Sequence, residues 1–199
     1  MDKFLYEREL AERGFKYVCG VDEVGRGPLA GPVVCAAVIM CADSVVEGVD
    51  DSKKLTAKKR EKLSALIKQN AIAWAICRVE PQTIDEINIL QATRLCMKNA
   101  VESLSVRPDF VLTDGNMTLD ISIPQQSVVG GDAACYSIGA ASIIAKVYRD
   151  EVMDEYAAEY PAYAFEKNKG YGTAAHIAAI KECGICPIHR RSFTTKWAK

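Results

Sequence analysis

Short apolar runs, bounded by glycine, proline or charge, alternate along this chain with longer segments whose apolar positions recur at helical spacing. Residues 2–13 predict a short charged helix. Residues 16–22 and 32–40 are rich in Val, Ile and Ala and flank a glycine-rich stretch, which predicts two paired strands. Thr56 stands where it would cap a helix running to about Gln69, and AIAWAICRV (71–79) reads as a third strand. IDEINILQATRLCMKNAVESL sets Ile87, Leu90, Leu95 and Val101 along one side of a helix. DFVLTDGN then gives a short buried strand ending in the turn signal Asp114-Gly115-Asn116, with a weaker strand across 121–129. A long helix is expected from Ala133 to about Tyr160, and another over 173–183. Three strands in a meander, followed by strand–helix alternation, predict an α/β sheet with helices on its faces.

Composition changes this picture little. With 199 residues, 49% hydrophobic, 26% charged and a formal net charge of -1, the chain reads as one globular domain over 1–199, with a helical C-terminal part from about 155. Near-neutral charge argues against a whole-protein grip on nucleic acid, but the basic residues are clustered. Lys53, Lys54, Lys58, Lys59, Arg60 and Lys62 form one group; Lys167, Lys169, Arg190, Arg191, Lys196 and Lys199 form a second. MDKFLYERELAERGF lacks the apolar core of a secretory signal, and no window is apolar enough to predict a membrane span. Eight cysteines without a signal read as reduced thiols, so a cytoplasmic location is expected.

The candidate chemistry lies in carboxylates at element ends. Asp22 and Glu23 close the first strand, Asp114 ends FVLTD, and Asp132 precedes the long helix. Singly, each has an ordinary explanation: an Asx-turn at Asp114, a helix cap at Asp132, solvation at Asp22 and Glu23. Together they suit hard divalent cations, which take oxygen ligands, and a pair of ions about 4 Å apart supports phosphodiester cleavage. Successive strand residues point to opposite faces. Asp22 and Glu23 therefore share a site only if the strand ends there, or if one acts through backbone or water.

YVCGVDEVGRGPLAGPVVCAAVI, DDSKKL, LTDGN, GGDAACYSIGAASIIAKVYRD, NKGYGTAAH and HRRSF, in this order, resemble the successive motifs of bacterial type 2 ribonuclease H, ribonuclease HII. The resemblance covers about residues 17–193. It implies a ribonuclease H-like fold, a mixed five-stranded sheet flanked by helices with additional C-terminal helices. It implies an endonuclease that hydrolyses the RNA strand of RNA–DNA hybrids and cuts 5′ of ribonucleotides embedded in duplex DNA, using Mg2+ or Mn2+ and acting as a monomer. Asp22, Glu23, Asp114 and Asp132 fall on the family's metal-binding acids. Gly25, Arg26 and Gly27 match its strand-sensing loop, where bare backbone can approach a 2′-hydroxyl and Arg26 can hold a phosphate. Tyr171 resembles the tyrosine that packs on the neighbouring sugar. Ser52, Lys53 and Lys54, with Ser142 and Lys146 on the other side, look like phosphate contacts that set register.

One position departs from the pattern: where the family usually has a lysine two residues before the fourth acid, this chain has Gly130. Two other readings stay open, a different nuclease of the same fold and a hybrid-binding module without a working metal site. Cys183 and Cys186, with His176 and His189, can also be drawn as a zinc pattern. Both histidines, however, belong to motifs shared with the family, and the cysteine pair does not.

Overall fold

The computed structural model describes residues 2–41, 45–50 and 52–197, and for Lys53 only the backbone. Its sheet is built from β1 (Val18–Val24), β2 (Val33–Met40), β3 (Ala71–Val79), β4 (Phe110–Asp114) and β5 (Gln125–Val128), in the spatial order β3-β2-β1-β4-β5. β1, β2 and β3 run as an antiparallel meander, and β4 and β5 add in parallel on the far side of β1. The sheet is therefore mixed, as the resemblance implied, and its first three strands form the meander that the order of apolar runs predicted. The weak strand expected over 121–129 is confined to β5.

The helices are α1 (Leu5–Glu12), α2 (Ala57–Asn70), α3 (Pro81–Glu102), α4 (Gly131–Ala134), α5 (Tyr136–Glu159), α6 (Phe165–Asn168), α7 (Ala174–Cys183) and α8 (Arg191–Thr194). Strand alternation sorts them onto two faces. On β2, Val33, Cys35, Ala37 and Ile39 face a core closed by Cys96, Met97 and Ala100 of α3. Val34, Ala36 and Val38 face the opposite core, closed by Ala140, Ile143 and Ile144 of α5 and by Leu63 and Ile67 of α2. β2 is thus apolar on both faces, the signature of a strand covered on each side. Thr56 caps α2 by accepting from the Lys59 N–H, as its position predicted.

Two helices differ from the expectation. The one read over 84–104 bends at Asn88 (φ 65°), whose side chain accepts from the N–H groups of Leu90 and Gln91 and caps the second half. The helix expected from Ala133 is split, because Cys135 is extended and separates α4 from α5. Asp132 consequently sits in the first turn of α4 and does not cap the long helix. That cap comes from α1, where Glu7 Oε1 accepts from the Ser137 N–H at 2.9 Å and the Ser137 hydroxyl at 2.8 Å.

Candidate active site

β1 and β4 run parallel, and their last paired residues are Val21 and Thr113. One residue further on, both chains carry an acid and neither strand covers the other. Ligand oxygens of Asp22, Glu23 and Asp114 lie within 4.8 Å of one another. This resolves the facing problem posed by adjacent strand residues: β1 continues to Val24, but beyond Thr113 it has no parallel neighbour, so both side chains reach one point around the open edge. Asp22 Oδ1 accepts from the Glu23 N–H at 2.7 Å, and Asp114 Oδ1 accepts from the Gly131 N–H at 2.7 Å. Asp132 follows Gly131 directly and is half-buried, but its oxygens fall outside the 4.8 Å cluster among the described residues.

Burial pushes the Asp22 carboxyl well above the usual carboxylate range, reinforced by the charges of Glu23 and Asp114 and partly offset by the Ser142 hydroxyl. Burial also raises Glu23, against the pull of Arg26, whose Nη1 lies 3.3 Å from Glu23 Oε1. Glu23 Oε2 is buried with no hydrogen-bond partner. Three crowded carboxylates and an unpartnered buried oxygen, all hard donors, fit a divalent cation bound through oxygen.

The turn after β1 is fixed by two arginines that are fully buried. Arg190 donates to the carbonyls of Gly25 (2.5 Å), Arg26 (2.8 Å) and Gly31 (3.0 and 2.8 Å). Arg149, from α5, donates to Pro32 O at 3.1 Å, Lys169 O at 3.0 Å and Ala30 O at 3.3 Å. Gly25 has φ +91°, and a Cβ there would stand 2.2 Å from Arg149 Nε, so only glycine passes beneath the guanidinium. The exposed ring of Tyr171 comes to 3.8 Å of where a Gly27 side chain would begin. Neither arginine was singled out by sequence reasoning as part of the site. The available signal was their presence inside the YRD and HRRSF motifs; an inward-facing arginine leaves no trace in periodicity.

The ribonuclease HII family profile matches residues 19–196. The chain belongs to the ribonuclease HII family. It is 53% identical over 190 residues to the ribonuclease HII of Caldicellulosiruptor saccharolyticus, covering 96% of this chain and 93% of that one. It is 54% identical over 194 residues to that of Acetivibrio thermocellus, covering 98% and 76%. Its fold is similar to the crystal structure of ribonuclease H2 from Pyrococcus horikoshii, with a TM-score of 0.76, 28% identity, and coverage of 90% of this chain and 95% of that one.

The remaining residues suggested by the ribonuclease HII resemblance are placed unevenly. Ser52 and Ser142 are buried and share a hydrogen bond, Oγ to Oγ 2.9 Å, with Ser142 beside Asp22. Ser52 thus reaches the acidic group only through Ser142 and Asp22. Lys146 Nζ is bound to Asp150 at 2.6 Å, and Lys54 is exposed, 3.8 Å from Asp50. The Lys53 side chain lies outside the described residues. In the histidine–cysteine pattern, the two rings bond each other, Nε2 to Nε2, at 3.0 Å. Among the described residues, the only group of three or more metal-ligating side chains is the acidic one.

Proposed function

We infer that Asp22, Glu23 and Asp114, joined by Asp132, hold the divalent ions of a ribonuclease HII that hydrolyses the RNA strand of RNA–DNA hybrids and cuts 5′ of ribonucleotides in duplex DNA. The observation that carries this reading is the acidic cluster at the ends of β1 and β4, with the Gly25–Gly27 turn beginning two residues after Glu23. Bound magnesium or manganese would supply an activated water and counter-charge for the departing 3′-oxygen. The chain's own part is positional. The Gly25–Gly27 backbone offers N–H and C=O groups to a 2′-hydroxyl, the feature that separates RNA from DNA. Arg26 balances Glu23 here, and its planar guanidinium would be free to hold a phosphate were Glu23 engaged by an ion instead. Tyr171 offers an exposed aromatic face to the neighbouring sugar, and Lys54 and Lys146, which pair with Asp50 and Asp150 here, supply charge for backbone phosphates. Eight free cysteines agree with a reducing cytoplasm.

Cleavage of a DNA duplex carrying one ribonucleotide, with magnesium, tests this directly. The native protein is expected to cut it and Asp114→Asn is not. No cutting by the native protein overturns the enzymatic reading, and equal cutting of an all-DNA duplex overturns the specificity.

A further inference from the structure

Two recognition elements of the proposed site, the Gly25–Gly27 turn and the Tyr171 loop, are far apart in sequence, yet both are tied to His189 and Arg190. Arg190 holds the turn through the carbonyls of Gly25 and Arg26, and its own N–H donates to Leu29 O at 2.9 Å. His189 holds the other element through a directional chain. The Cys186 N–H donates to His189 Nδ1 at 3.0 Å, which places the His189 proton on Nε2. That proton is donated to His176 Nε2 at 3.0 Å, and His176 Nδ1–H then donates to Tyr171 O at 2.9 Å. Both rings are buried, and burial lowers their proton affinity, so this neutral arrangement has one consistent set of tautomers.

The two elements also meet directly. The Leu29 N–H donates to Gly170 O at 2.8 Å, and Ala30 pairs with His189 as an isolated bridge. Gly170 has φ +83°, and a Cβ there would stand 2.4 Å from Ala30 O, so the backbones touch as closely as glycine allows. Among the described residues, the side chains of His176, His189 and Arg190 bond to carbonyls, to Cys186 and to each other, and not to Asp22, Glu23 or Asp114.

We propose that His189 and Arg190 form a positioning pair that fixes the spacing between the Gly25–Gly27 turn and Tyr171, and so confers selectivity for a ribose followed by a deoxyribose. This rests on the assignment of those two elements as ribose and sugar contacts. A uniform RNA–DNA hybrid presents a ribose at every step and does not require that spacing. A single embedded ribonucleotide must meet both elements at once, where a misplacement on the order of 1 Å costs up to about a hundredfold.

The test compares kcat/KM for a duplex with one ribonucleotide against a uniform hybrid, using native protein, Arg190→Lys, His189→Leu and His189→Gln. Manganese binding by calorimetry and thermal melting are recorded on each. Arg190→Lys and His189→Leu are expected to bind manganese as the native protein does, while the ratio of single-ribonucleotide to hybrid cleavage falls about tenfold. His189→Gln, whose amide can still donate toward His176, should recover most of that ratio. An unchanged ratio, or equal losses on both substrates, overturns the proposal; if Arg190→Lys does not fold, His189→Leu decides alone. A native protein that cuts an all-DNA duplex equally well defeats the underlying assignment instead, which is a separate result.

Discussion

Asp22 is buried between two other carboxylates, so its ionised form is disfavoured in the fold that function requires. Asp22→Asn removes that repulsion. In chelator it should raise the melting temperature by roughly 2–4 °C, corresponding to about 1 kcal/mol, while cleavage is lost. A lower melting temperature would show that the acid is satisfied without metal. Gly130 makes a different residue-scale case. It has φ +66°, and a Cβ placed there would meet nothing within 4 Å, so Gly130→Lys is strained by its backbone and not by its neighbours. Urea unfolding should report a loss of about 1 kcal/mol; a loss several times larger would reveal a clash.

Among the elements, α1 and the break before α5 were the least legible. The charged spacing of 2–13 does predict a helix, but nothing in it says that Glu7 reaches the start of α5. Replacing Glu7 by alanine leaves the Ser137 N–H and hydroxyl without their acceptor, and should cost about 1–2 kcal/mol by thermal melting. If stability is unchanged, solvent substitutes for the cap. The strands were far more legible, since two-sided burial writes itself as continuous Val, Ile and Ala, and alternation then assigns each residue to the α3 or the α5 face. β5 was legible only as a weak apolar segment, because it is an edge strand with one neighbour and little to bury.

At the scale of the whole molecule, buried arginines join the C-terminal segment to the β1–β2 turn, while a neutral histidine pair holds that segment together, and the histidine pair responds to pH. His189 is lowered by burial and by His176 from 6.5 to about 4. The unfolded chain therefore binds the extra proton first. The stabilisation is fully present above pH 6.5 and is lost as the pH falls towards about 4, amounting to about 3 kcal/mol at most. The stability difference between native protein and His189→Gln should shrink across that window in urea titrations. A difference that stays constant with pH would mean the ring is not held neutral.

Taken by itself, the sequence determined the strands, the order of the motifs, the four acids as a group and the family to which they belong. These are local properties: period, composition and spacing along one chain. Only the tertiary structure decided that Asp22, Glu23 and Asp114 converge where the β1–β4 pairing stops, while Asp132 stands just outside. It also decided that Ser52 and Ser142 are buried and joined beside Asp22, and that Arg149 and Arg190 point inward to carbonyls. The reason is physical. A charged side chain is read from sequence as solvent-facing, and its burial becomes tolerable only when distant backbone groups are brought close enough to satisfy its donors.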